Sequence, residues 1–186
     1  MIQYIKLKNY KSYNDITFDF RGKNNVPKKL IIVYGANGSG KSSLIQVFNT
    51  LDDLFSTMQI KNIIADYLER NSDKLDNEAM NKIRSSLDIK RIIKDCRALN
   101  TAEDTVIEIG FELDNKSGIY NIEFDDENII HEHLEFTVSK NRGLYFDIQE
   151  TSSIPKYKIN PKLFLNTDFA EDLSVNIEKY WGKHTF

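Results

Sequence analysis

The chain is predicted to fold as an α/β lobe built on a mixed β-sheet, and three observations predict it. Leu30, Ile31, Ile32, Val33 and Tyr34 form a continuous apolar run, the pattern of a buried central strand. Directly after it, Gly35-Ala36-Asn37-Gly38-Ser39-Gly40-Lys41-Ser42-Ser43 satisfies G-x-x-x-x-G-K-[ST], a turn that hands a strand to a helix and cradles phosphate. From Thr105 onward, apolar residues recur with period two, as in antiparallel strands with one wet face. Together these define a P-loop NTPase lobe with a mixed β-sheet, a helical insertion and an antiparallel β-meander subdomain.

Taken in order, Ile2, Tyr4, Ile5 and Leu7 indicate a first strand, and Ile16, Phe18 and Phe20 alternate with Thr17 and Asp19 in a second. Arg21 to Lys29 carries Gly22, Asn24, Asn25 and Pro27 and reads as a turn, after which the third strand delivers the loop. Two strands close in sequence before the loop indicate a sheet that is not purely parallel. Leu44, Ile45, Val47 and Phe48 follow at spacings suited to a buried helix face. Helical spacing continues from about Leu54 to Leu99, through Ile60, Ile63, Ile64, Tyr67 and Leu68, then Met80, Ile83 and Leu87, then Ile89, Ile92, Ile93 and Cys96, with a break at Asn71-Ser72-Asp73. The meander then uses Asp114 to Gly118, Asp125 to Asn128 and Lys140 to Gly143 as turns. The resulting division is 1–54 for the nucleotide-binding core, 55–104 for the helical insertion, 105–150 for the β-subdomain and 151–186 for the start of a following region.

Each position of the loop answers a physical need, because a triphosphate must be solvated by the protein at least as well as by water. Gly35, Gly38 and Gly40 let the backbone turn its amides inward, and Asn37 and Ser39 complete the wrap. The helix opening at about Lys41 adds unpaired amides and its positive dipole end. Lys41 is the candidate catalytic residue and reaches the β- and γ-phosphates as a point charge. The Ser42 hydroxyl is the candidate magnesium ligand, and Ser43 donates to the α-phosphate. The ligand class is therefore a nucleoside triphosphate with Mg2+.

Composition bounds the rest. Hydrophobic residues make up 40% of the 186 and charged residues 28%, ordinary for a globular chain. No apolar run approaches a membrane span and no signal peptide opens the chain, so the expected setting is cytoplasmic with no membrane partner. Cys96 is the single cysteine and sits in a helical stripe, which points to packing. His131 and His133 stand two apart and His184 lies far away, too few ligands for a zinc site. Net charge is -3, yet residues 1–50 hold eight Lys or Arg against two Asp or Glu, while 101–150 hold three against thirteen. The basic part suits phosphates or a nucleic-acid backbone; the acidic part follows from the wet face of the meander.

Hydrolysis needs more than a cradle: a carboxylate strand, a polarising group and transition-state charge stabilisation. Asp126-Glu127 reads as a hairpin turn, since Asn121 and Glu123 alternate with the apolar residues before it. No Asn-Lys-x-Asp element reads guanine. The expectation is a lobe that binds nucleotide without efficient hydrolysis, whose catalytic half lies beyond Phe186.

Ile5-x-Leu7-x-Asn9-Tyr10-Lys11-Ser12-Tyr13, a second strand, and then Val33-Tyr34-Gly35 through Ser43-Leu44 resemble the start of the ABC-type ATPase heads of the RecF/SMC-like class. Gly110-Phe111-Glu112-Leu113 and Ile130-His131-Glu132-His133-Leu134 further resemble stand-alone bacterial AAA-family ATP-binding proteins of the RecF/OLD-like grouping. The resemblance covers residues 1 to about 150. It implies an ATP and Mg2+ site, an ATP-dependent homodimer, a DNA or protein effector, and work in DNA repair, DNA maintenance or phage defence. It also implies that Lys11 lies near the nucleotide and that a glutamine joins the magnesium, for which Gln149 at the end of the meander's last strand is the candidate. Two other classes use the same loop. A small-molecule kinase has little need of the meander, and the lead-in is less like that of a transporter's ATP-binding subunit.

Overall fold

The computed structural model describes residues 1–71, 89–99, 101–137, 142–160 and 167–186. Its centre is one seven-stranded sheet, every pair antiparallel, in the order β2-β1-β3-β4-β5-β6-β7. The strands are β1 (Ile2–Tyr10), β2 (Tyr13–Asp19), β3 (Thr105–Leu113), β4 (Lys116–Phe124), β5 (Ile129–Thr137), β6 (Arg142–Gln149) and β7 (Lys156–Ile159). Three helices accompany them among the described residues: α1 (Lys41–Asn71), α2 (Ile89–Cys96) and α3 (Thr167–Tyr180). The expected lead-in hairpin and meander are both present, fused edge to edge because β1 pairs with β3 across nearly its whole length. The β3–β4 hairpin turns on Asp114 and Asn115, both at positive φ, as a type I′ turn requires.

Strand alternation sorts the sheet into two faces. One carries Ile5, Leu7, Ile107, Ile109, Ile122, Phe124 and Ile148, all buried, in one core cluster with Leu44, Val47, Leu51 and Leu54 of α1 and Ile89, Ile93 and Cys96 of α2. Ile177 at the end of α3 and Trp181 just after it complete that core. The stripe on α1 recurs at i, i+3, i+7 and i+10, so one helix face meets the sheet. Thr50 on that helix is anchored by a 2.9 Å hydrogen bond with the Tyr10 hydroxyl. Cys96 is a packing residue, as its helical stripe suggests: its thiol donates to the Ile93 carbonyl at 3.2 Å, and burial pushes it up to about 12.

On the apolar face Glu132 is a buried carboxyl, only 1% exposed. Its carboxylate accepts from the Tyr120 hydroxyl at 2.9 Å, the Trp181 indole N–H at 3.0 Å and the Phe186 backbone N–H at 2.8 Å. These bonds tie β4 and β5 to the segment that follows α3. Burial pushes the carboxyl up to about 7, although the three donors favour its charged form.

Two expectations are corrected. Leu30 to Tyr34 joins no strand: it has no regular secondary structure and is exposed, Leu30 at 77% and Tyr34 at 91%. A central strand is hidden only when neighbours pair with both its edges, and backbone pairing with the lead-in stops where the Lys28 N–H reaches the Phe20 carbonyl at 2.9 Å. The parallel component of the mixed sheet is thus not formed among the described residues. In the same way Leu44 and Val47 are buried but Ile45 and Phe48 are exposed, because they face the side on which Ile31 and Val33 lie. Residues 72–88, where helical spacing is expected through Met80, Ile83 and Leu87, lie outside the described residues, as do the side chains of Ile60, Ile63, Ile64, Tyr67 and Leu68.

Candidate nucleotide site

The phosphate-loop motif turns into a helix at the position its spacing predicts, although no strand leads into it. Gly38 and Gly40 sit at φ +81° and +88°, angles an L side chain resists, and α1 begins at Lys41. A Cβ at Gly40 would come within 2.6 Å of the Tyr13 hydroxyl, which donates to the Gly40 carbonyl at 2.8 Å. β2 therefore holds the far end of the loop, and Tyr13 is a loop-positioning residue that motif spacing alone does not single out. Its ring is in turn fixed edge-on against Phe18, centroids 5.4 Å apart. At the near end a Cβ on Gly35 would press on the Ser39 hydroxyl at 3.0 Å. Space around Gly38 is open, so there the positive φ is what calls for glycine, and the open turn leaves room for a phosphate group.

Gly35, Asn37, Gly38, Ser39 and Ser42 are exposed, while Gly40, Lys41 and Ser43 are half-buried. The Lys41 ammonium curls over the loop and donates to the carbonyls of Gly35 at 2.8 Å and Ala36 at 2.6 Å. A cation is thereby placed over the cradle at the positive end of α1, a combination suited to a polyanion.

Lys11 lies on the same side. With Ser12, Asn14, Ser43, Lys94 and Arg97 it lines a cavity of about 620 Å³, so it shares a wall with the last loop serine. Lys11 also caps α2: its backbone N–H donates to the Cys96 carbonyl at 2.7 Å and its ammonium to the Asp95 carbonyl at 2.9 Å. Gln149 stands elsewhere, paired with His131 and Lys156 in the sheet, in a pocket with Glu123 and Glu150 that includes no loop residue. Asp126 and Glu127 form a turn, where the Asp125 carboxylate accepts from the N–H groups of Glu127 and Asn128 at 2.7 Å each. Glu127 is engaged by Lys90 at 2.8 Å.

A second cluster lies on the wet face of the sheet. His131 Nε2 is 2.8 Å and His133 Nδ1 3.1 Å from the same Asp147 carboxylate oxygen. Counting histidines along the chain misses this grouping, because Asp147 arrives only through the β5–β6 register, which sets it opposite His133.

The family model described as AAA domain matches residues 4–179, from β1 into α3. This places the protein in the class of nucleotide-binding, ATPase-type domains. The chain belongs to the AAA domain family. A search of the curated proteins finds no match. Among the described residues no helix is long and apolar enough to cross a membrane.

Proposed function

We propose that Gly35 to Ser43 holds ATP and Mg2+, and that the chain is the ATP-binding lobe of a RecF/SMC-like ATPase serving DNA repair, DNA maintenance or phage defence. The observation that carries the site is the positive-φ pair Gly38 and Gly40 leading straight into α1, within a chain of the AAA domain family. Gly35, Asn37, Gly38, Ser39 and Gly40 supply the wrap, Lys41 the charge on the β- and γ-phosphates, Ser42 the magnesium ligand and Ser43 an α-phosphate donor. When bound, magnesium neutralises charge on the phosphates and orients them.

Efficient hydrolysis draws on further elements and on a homodimer. The support is physical: Leu30 to Tyr34 is an apolar run with open backbone edges, and Ile45 and Phe48 extend the same exposed surface. Such a surface is stable in water only when covered. Residues 1–54 form the nucleotide-binding core in this scheme, with 55–104 as helical insertion, 105–150 as β-subdomain and 151–186 as a separate region. The cavity that Lys11, Lys94 and Arg97 share with Asp95 beside Ser43 gives a wall of net positive charge for the nucleotide or for an effector's phosphates.

The chain is expected to bind Mg-ATP with a 1:1 stoichiometry and to release phosphate negligibly over hours. Calorimetry paired with a phosphate-release assay measures both. Robust multiple turnover by this chain alone would contradict the need for further elements, and absence of ATP binding would contradict the site itself.

A further inference from the structure

We propose that His131, His133 and Asp147 form a binding site for a zinc-like transition-metal dication on the wet face of the β-sheet, separate from the nucleotide loop. Alternation puts His131 and His133 on the same side of β5, and strand pairing places Asp147 of β6 directly opposite His133. The three ligand atoms all lie within 4.8 Å of one another. Ligands around tetrahedral zinc stand about 3.3 Å apart, as bond lengths near 2.0–2.1 Å require. The two nitrogen-to-oxygen separations here, 2.8 and 3.1 Å, need to open by only a few tenths of an ångström.

The surroundings carry the proposal beyond a chance meeting of polar side chains. A metal-bound histidine nearly always gives its other ring N–H to a carboxylate or carbonyl, which fixes the tautomer and raises the basicity of the ligating nitrogen. His131 has such a partner, and His133 has a carboxylate nearby at a distance longer than a hydrogen bond. The His131 nitrogen remote from Asp147 lies 3.1 Å from a Glu123 oxygen on β4, and the corresponding nitrogen of His133 lies 3.5 Å from a Glu135 oxygen on β5. Glu123 is the register partner of His131, so this outer carboxylate is placed by the sheet itself. Two imidazoles and one carboxylate suit zinc, cobalt, nickel or copper rather than magnesium or calcium. The ligand side chains keep 23%, 23% and 25% of their surface exposed, which leaves a side open for a water as fourth ligand. A bound ion would cross-link β5 to β6, with Glu123 bracing it from β4.

A hydrogen-bonded ion network without metal is the competing account, and protons compete for the same nitrogens. The test therefore uses the tag-free chain, stripped with a chelator, in slightly alkaline buffer without nucleotide. Zinc is titrated by calorimetry and cobalt by visible absorption. One equivalent of zinc should bind with a dissociation constant on the order of 1 µM or tighter, and cobalt should show the intense ligand-field bands of a four-coordinate site. Asp147→Ala and His133→Ala should each weaken zinc by about tenfold or more, and Glu123→Gln by about tenfold, with circular dichroism confirming the fold. Lys41→Ala should bind zinc unchanged, which separates this site from the nucleotide loop. No zinc binding at about 100 µM, or binding that survives Asp147→Ala and His133→Ala together, would overturn the proposal.

Discussion

Lys41→Ala is expected to lower ATP affinity about 100-fold, roughly 2.8 kcal/mol, while leaving the fold intact. The magnitude follows from the loss of charge-assisted contacts to phosphate, each worth roughly 1.5–3 kcal/mol. The selectivity follows from the geometry. The ammonium touches only the loop itself, at the Gly35 and Ala36 carbonyls and the Ser39 hydroxyl, and the side chain is no part of the core that Leu44, Val47, Leu51 and Leu54 build on the same helix. Thermal unfolding without nucleotide should therefore shift by less than about 1 kcal/mol, as for a surface substitution. Lys41→Arg should recover only part of the affinity, because a planar fork does not fill the place of a compact ammonium. Calorimetry with Mg-ATP decides the matter: unchanged affinity in Lys41→Ala would remove this lysine from the site.

Glu132→Ala is expected to destabilise the fold strongly, by about 3–5 kcal/mol. Truncation leaves the Tyr120 hydroxyl, the Trp181 indole N–H and the Phe186 amide without their shared acceptor, and it opens a void in the apolar layer around Ile122 and Ile148. For a chain of this size the loss corresponds to a fall in Tm of roughly 10 °C. Glu132→Gln keeps the volume and one acceptor oxygen and should lose markedly less. Thermal melts of the two variants give the comparison; a fall below about 1 kcal/mol for Glu132→Ala would show that the segment after α3 is not held through this carboxylate.

What the sequence reveals of this molecule is what is local. The loop, the start of α1 at Lys41 and the turn at Asp125 to Asn128 depend on a few neighbouring residues and lie where their spacing puts them, while the turn expected over Asp114 to Gly118 closes on Asp114-Asn115 alone, with Lys116 to Gly118 already in β4. Pairing between distant strands is not written locally. Nothing near Ile5 indicates that β1 lies against β3 about a hundred residues later, so the lead-in and the meander look like separate pieces until the sheet joins them. β7, only Lys156–Ile159, is too short and too charged to signal itself.

The failures at Leu30 to Tyr34, Ile45 and Phe48 share one cause. Hydrophobicity reports that a residue suits burial, and burial also requires a covering surface, which the described residues do not provide there. Glu132 had a usable signal: it stands in the phase of Ile130 and Leu134, where an isolated acid among apolar residues marks a buried, hydrogen-bonded group. Tyr13 and Asp147 had none, because each acquires its role from a partner on another element, Gly40 and His133 respectively.

The most direct test of a triphosphate cradle at Gly35 to Ser43 is residue-resolved. Backbone amide resonances of the isotopically labelled chain are followed by NMR as Mg-ATP is added. The amides of Gly38, Ser39, Gly40 and Lys41 should move furthest and saturate together, because their N–H groups are the ones expected to meet the phosphates. Saturable shifts centred away from this loop, or none at millimolar ATP, would contradict the assignment.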